Sequence, residues 1–526
     1  MKSVLLAGML LLSYSAVALD GQIGIHDPST VIACDGKYYV FGTGGGGLMS
    51  TDGWNWTGGA VRPGGGVAPD VIHLGDRFYV SYATGGTGGG EHSADVHMMW
   101  NKTFDTNSPD YKWEDCGVVA SSDGVEDCNA IDPGFFLDPG TGRLWLTYGS
   151  YFGYIRLIEL DPKTGKRIHP EEPPLNLAIN CEASDMIYHD GWYYLLADHD
   201  SCCDGANSGY NIRVGRARAV TGPFLDNMGV DMMLGGGKLF VGSEGRVVGP
   251  GHFGLLDLGE GVQKFSCHYE ADLDRGGASV LDLRPVLWRD GWPVAGDNLK
   301  DGTFEIESAR TGTALELAVE GVPVGGRRAR GGGGGPGGRR GGPGAARGGG
   351  ETNAAAQATL GGTNAVGGRG SRGGGGGGRG LFGGQGGVIP PQDVAVVSTN
   401  WPAGNVDVRM ANYMDQAQQK WTLTAVTNAS ASGYPGSPYF KLTIAGTDRV
   451  LAVGDDAELV VLPGYTGGPE QLWRFDQLAD GTWRIMPKAV PNSSAALALS
   501  AVGSSFATLA KFDPASDKQR WALKAP

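Results

Sequence analysis

Three acidic residues stand in short segments rich in turn formers, each just ahead of a strand-like run. Asp27 lies in His26-Asp27-Pro28-Ser29, Asp132 in Asn129-Ala130-Ile131-Asp132-Pro133-Gly134, and Glu182 in Asn180-Cys181-Glu182-Ala183-Ser184-Asp185. Three carboxylates brought together can divide acid and base work. One stays ionised to activate water, another stays protonated to donate, and the third adds negative charge that disfavours ionisation of the donor. Each taken alone is an ordinary Asp-Pro or Glu-Ala turn, so the chemistry depends on whether the fold gathers them. Cys and His show no metal-ligand spacing such as a CxxC pair, which argues against a zinc site.

The elements that must position these acids are short and β-rich. From residue 20 to about 300 a turn followed by an aromatic strand recurs: Asp35-Gly36-Lys37-Tyr38-Tyr39-Val40, Gly75-Asp76-Arg77-Phe78-Tyr79-Val80, Thr141-Gly142-Arg143-Leu144-Trp145-Leu146 and Asp190-Gly191-Trp192-Tyr193-Tyr194-Leu195. Long amphipathic helical periodicity is absent. Hairpins at blade-sized intervals describe a radial repeat, with a β-sandwich as the alternative.

The chain has 526 residues, enough for two or three packed units. Lys2, the apolar run Val4 to Leu12 and the small residues Ala16, Val17 and Ala18 read as a secretory signal peptide over 1–18, cut after Ala18. That run is too short to span a bilayer, and no later segment qualifies, so no membrane span is expected. A formal charge of −14 argues against a nucleic-acid partner and is compatible with a neutral or acidic polymer. Seven cysteines in an exported chain permit disulfides but leave one over. Cys116 with Cys128 is the first pairing to consider, and the adjacent Cys202 and Cys203 form either a vicinal bridge or a reduced pair.

Residues 321–388 are of another kind: Gly-rich, with interspersed Pro and nine arginines, and almost nothing that could enter a core. Such a segment cannot offset its ordering entropy and is expected to be a disordered, basic insertion. Beyond it, Gln419-Lys420-Trp421, Gln471-Leu472-Trp473 and Gln519-Arg520-Trp521 recur, with the Trp residues 52 and 48 apart. They resemble the QxW repeats of ricin-type β-trefoil lectins, a carbohydrate-binding class. A first repeat needs an earlier opening strand, and Gly302 to Ser308 followed by Thr311 to Leu317 has that form. The Gly/Arg segment then interrupts a trefoil over 301–526, which loop-closure entropy tolerates.

From His26 to about Ala295 the sequence resembles glycoside hydrolase family 43. The resemblance rests on the three acid segments and on Ala68-Pro69-Asp70-Val71, Tyr148-Gly149-Ser150-Tyr151, Leu160-Asp161-Pro162, Gly209-Tyr210-Asn211-Ile212-Arg213-Val214-Gly215-Arg216 and Gly249-Pro250-Gly251-His252-Phe253-Gly254. Cys202-Cys203 followed by Asn207-Ser208-Gly209-Tyr210 looks most like the arabinanase branch. The resemblance implies an all-β chain: a five-bladed β-propeller over 19–300, followed by the interrupted trefoil. It implies an inverting hydrolase, with Asp27 as general base, Glu182 as general acid and Asp132 adjusting the acid's pKa. By the same likeness His26, Asn129, Ser150 and Tyr151 face the sugar, Asp70 fixes the second blade, and His252 is a candidate ligand for one calcium ion on the axis, with a buried structural histidine as the alternative. One departure stands out: Gly64-Gly65-Gly66-Val67 precedes Ala68-Pro69-Asp70 where family members carry an aromatic.

The activity implied is that of a secreted, monomeric hydrolase of α-1,5-arabinan or a related plant cell-wall polysaccharide. Alternatives are an exo-acting arabinofuranosidase, a xylosidase or a galactan-active relative, and a propeller that only binds glycans.

Overall fold

The computed structural model describes residues 19–87, 92–122, 124, 127–151, 153–319, 401–427 and 437–526. The signal peptide expected at 1–18 and the Gly/Arg-rich insertion at 321–388 lie outside them.

The first half of the chain is a five-bladed propeller, each blade an antiparallel sheet of four consecutive strands. Blade 1 runs from Ile32–Cys34 to Asn55–Val61, blade 2 from Val67–Leu74 to Glu114–Ser121, and blade 3 from Gly134–Leu137 to Leu175–Ile179. Blade 4 runs from Glu182–His189 to Lys238–Val241, and blade 5 from Val247–Asp257 to Trp292–Ala295. Asp-Gly hairpins join the first two strands of blades 1 and 4. Asp35 and Gly36 have φ of 50° and 73°, and Asp190 and Gly191 have 47° and 77°. These are the two left-handed residues that a tight two-residue turn requires. The aromatic strands they launch supply the core between blades, where Tyr39, Tyr79, Tyr194 and Tyr269 are each at most 1% exposed. The ring is closed by the first described residues. Asp20–Gly21 pairs in parallel with Asn55 and Trp56 of blade 1, while Leu281 N of blade 5 donates to Ile23 O at 2.8 Å.

One backbone device recurs at the inner end of all five blades. Asp27, Ala68, Asp132, Ala183 and His252 take left-handed φ values of 50°, 48°, 55°, 46° and 61°. In each blade the residue before and the residue two after are paired with the second strand, so the left-handed residue sits in a bulge. The pairings run His26 with Thr43 and Ser29 with Phe41, Val67 with Ala83 and Asp70 with Ser81, Ile131 with Gly149 and Gly134 with Thr147, Glu182 with Asp198 and Asp185 with Leu196, and Gly251 with His268 and Gly254 with Ser266. A bulge re-aims side chains that regular pleating would send to alternate faces. Asp70 reinforces the ring one layer deeper: its carboxylate accepts Thr30 N of the blade 1 segment at 3.0 Å and Phe135 N of blade 3 at 2.9 Å.

The C-terminal portion contains twelve described strands, from Gly302–Ser308 to Trp521–Lys524. Its threefold repetition is visible atom by atom. Trp421, Trp473 and Trp521 are fully buried, and their indole N–H groups donate to Leu315, Leu451 and Leu499 carbonyls at 2.8, 3.0 and 2.9 Å. Two residues ahead of each, Gln419, Gln471 and Gln519 accept a backbone N–H from Met414, Thr466 and Asp513. They donate to the carbonyls of Asn412, Gly464 and Lys511. A short 3₁₀ turn carries each Gln, so Gln and Trp together staple a turn to a strand in every repeat.

The cysteines correct one expectation. Cys116 and Cys128 do not pair with each other; the one disulfide among the described residues joins Cys202 to Cys203. Sequence proximity could not reveal that Cys116 belongs to the last strand of blade 2 while Cys128 is buried in the core between blades 2 and 3.

Candidate active site

The bulges of blades 1, 3, 4 and 5 supply a cluster of acids and imidazoles. From blade 1, Asp27 Oδ1 lies 2.9 Å from His26 Nδ1, and Oδ2 accepts the Thr43 hydroxyl at 2.5 Å. Two histidines of blade 5 complete its surroundings. His252 Nδ1 is 3.5 Å from Asp27 Oδ1, and His268 Nδ1 accepts Asp27 N at 3.0 Å. His26 also reaches Glu270 at 3.3 Å, and His268 stacks on His26 with centroids 4.5 Å apart.

The electrostatics push the groups apart. Burial alone would raise Asp27, yet the His26 hydrogen bond and the His252 and His26 charges hold its carboxyl well below the usual range. Burial alone would lower His26, but its bonds to Asp27 and Glu270 outweigh this and carry it up to about 10. Glu182 goes the other way. Burial raises its carboxyl above the ordinary glutamate value, with the Asp27 and Glu270 charges adding to it, although hydrogen bonds from Ser150 and Tyr210 pull against the rise. Asp132 is raised well above its ordinary value by burial and then by the Glu182 charge; its Oδ2 accepts Ala183 N at 3.3 Å. One carboxylate is thus firmly ionised beside others that resist ionisation, a division that general acid–base chemistry requires.

The remaining sequence candidates fall around this centre. Ser150 donates to Glu182 Oε2 at 2.6 Å, and the Tyr151 hydroxyl donates to Asp198 O at 3.1 Å. Asn129 is buried and donates to Gly86 O at 2.7 Å, which ties it to the loop after the second strand of blade 2. His252 is buried and pushed down to about 4 by that burial, so its ring is neutral near neutral pH.

Glycosyl hydrolases family 43 is the family whose sequence pattern matches this chain, over residues 41–293. The extracellular exo-alpha-(1->5)-L-arabinofuranosidase ArbA of Cellvibrio japonicus is 32% identical over 280 residues, covering 47% of this chain and 79% of that protein. The chain belongs to glycosyl hydrolases family 43. The extracellular endo-alpha-(1->5)-L-arabinanase 1 of Bacillus subtilis is 29% identical over 229 residues, covering 43% of this chain and 67% of its own. Among solved structures, an exo-1,5-alpha-L-arabinanase from a bovine ruminal metagenomic library shares 33% identity, covers 53% of this chain and 99% of its own, and superposes with a TM-score of 0.49. As a family 43 member the protein is a glycoside hydrolase, and the propeller is the part that carries the likeness.

Several residues of this family 43 site were not singled out by the sequence reading. Tyr210 donates to Glu182 Oε1 at 2.7 Å; Asp198, fully buried, accepts His252 N at 2.7 Å; His268, Glu270 and Thr43 surround Asp27. Thr43, Asp198 and His268 share one position: each is paired with the residue that precedes a bulge, a pairing that only the antiparallel register creates.

Proposed function

We propose that the protein is a secreted, inverting hydrolase of α-1,5-linked arabinan or a closely related arabinofuranosyl polymer. Asp27 acts as the general base, Glu182 as the general acid and Asp132 as the modulator of the acid. The observation that carries this reading is the opposite setting of Asp27 and Glu182: a carboxylate kept ionised to activate water, and a buried carboxyl kept protonated for the leaving oxygen. Water attacks the anomeric carbon while Asp27 takes its proton; the glycosidic C–O bond breaks, and its oxygen receives the proton of Glu182. His26, Asn129, Ser150 and Tyr151 frame the sugar. The arabinan-directed names of the Cellvibrio and Bacillus relatives support this sugar, and their extracellular naming supports export.

The threefold Gln/Trp arrangement supports a ricin-type carbohydrate-binding role for residues 301–526, tethering a monomeric enzyme to plant cell-wall polysaccharide. A calcium ion on the axis is part of the same proposal. His252 Nδ1, buried beside Asp27 Oδ1, fits one protein ligand of a cation whose remaining shell is largely water. Such an ion would supply fixed positive charge that favours ionised Asp27.

The test is reducing-sugar release from linear arabinan, arabinoxylan and galactan by the full chain and a Glu182→Gln variant, with proton NMR of the first product. Release from arabinan with inverted anomeric configuration, lost about 100-fold or more in the variant, is the expected result. Retention of configuration would refute the role of Asp27, and release only from another polymer would replace the sugar.

A further inference from the structure

Glu182 is held by two hydroxyls, one on each oxygen: Ser150 on Oε2 at 2.6 Å and Tyr210 on Oε1 at 2.7 Å. Tyr210 is itself fixed. Its side chain is 2% exposed. Asp198 stands directly across from Glu182 in the antiparallel pair of blade 4, and the His252 backbone N–H anchors its Oδ2 at 2.7 Å. Gly251 makes room for the arrangement: a Cβ there would lie 2.2 Å from a Tyr210 ring carbon and 2.7 Å from Asp198 Oδ2. The ring is therefore packed against Gly251, with the Asp198 carboxylate close by, and its hydroxyl is aimed at Glu182.

We propose that Tyr210, wedged against Gly251, is a positioning residue for Glu182, fixing the rotation of its carboxyl group so that the proton is delivered to the leaving oxygen. The inference rests on the reading of Glu182 as the general acid. A tyrosine suits the task because its O–H reaches the Glu182 oxygen from a rigid ring, and a ring wedged against glycine cannot swing away. Without the phenol the Glu182 carboxyl keeps only its Ser150 contact and samples other rotations. The loss falls on proton donation rather than on substrate binding, because Tyr210 need not touch the sugar.

Leaving-group dependence separates this role from a structural one. A 4-nitrophenolate departs without a proton, whereas the alkoxide of an arabino-oligosaccharide needs one. The full-length protein and its Tyr210→Phe and Glu182→Gln variants, each checked for an unchanged thermal midpoint, are assayed on the 4-nitrophenyl glycoside of α-1,5-arabinobiose and on α-1,5-arabinotetraose. Tyr210→Phe is expected to lose about 100-fold in kcat on the tetraose. Its KM should stay within about threefold, and it should keep most of its rate on the aryl substrate. Equal losses of Tyr210→Phe on both substrates, or no loss while Glu182→Gln shows the leaving-group effect, would overturn the positioning role alone. If Glu182→Gln itself shows no such effect, the assignment of the acid falls and the positioning role with it.

Discussion

His26 and Asp27, consecutive in the chain, form an ion pair with Nδ1 and Oδ1 2.9 Å apart at the head of blade 1, and each shifts the other in the direction that keeps both charged. Replacing His26 with Gln removes the largest of the influences that lower Asp27. The acid limb of the activity profile, where the base becomes protonated, should then move to higher pH. The same pair stabilises the fold. Asp27 contributes above its ordinary value of 3.8 and loses that contribution as pH falls. His26 contributes fully below 6.5 and loses it as pH rises toward about 10. The thermal midpoint of the wild type should exceed that of His26→Gln most clearly between those two values, and an equal gap across the whole range would refute the ion-pair account.

Ser150 and Asp132 act on Glu182 with opposite signs. The Ser150 hydroxyl favours the ionised form, so Ser150→Ala should move the alkaline limb of activity upward. The Glu182 charge raises Asp132, and because that repulsion is mutual an ionised Asp132 raises Glu182, so Asp132→Asn should move it downward. Measuring kcat/KM against pH for the two variants tests the pair; shifts in the same direction would remove Asp132 from its modulating role.

Asp70 bridges the blade 1 segment and blade 3 through two backbone amides. Asp70→Ala leaves both without this acceptor and should cost about 2 to 3 kcal/mol of stability, readable as a lowered denaturation midpoint with an unchanged m-value. Asp70→Asn, which keeps one acceptor oxygen, should lose less.

A chain ended near residue 300 should fold less stably than the full protein. Ala479 N donates to Gly261 O at 2.9 Å and Trp288 N to Ala479 O at 2.8 Å, while Val262 and Leu478 pack together. Beneath them Lys264 is buried and pushed down to about 8 by desolvation, with the Asp476 and Asp282 charges pulling it back up. A depressed lysine costs stability while charged, so the stability of the wild type relative to Lys264→Met should rise as pH goes from about 8 to 10.5. Calorimetry of the truncated and full-length chains checks the first point. An unchanged propeller midpoint after truncation would show that the C-terminal strands add nothing to it.

The sequence by itself determined the strands and turns, because their causes are local. Asp-Gly pairs set left-handed hairpins, alternating aromatics supplied a buried face, and Gln two residues before Trp marked each repeat of the C-terminal portion. It also marked Asp27, Asp132 and Glu182, since each lies beside or at a bulge written in Pro or small residues. What the sequence lacked was the second strand's answer to each bulge. Asp198 faces Glu182, and His268 faces Gly251, only once antiparallel register and ring closure are set, and both are long-range outcomes of packing. The same holds for charge. Nothing in the text of the chain distinguishes the protonation of Asp27 from that of Glu182; the difference arises because the fold places imidazoles around one carboxylate and burial and like charges around the other.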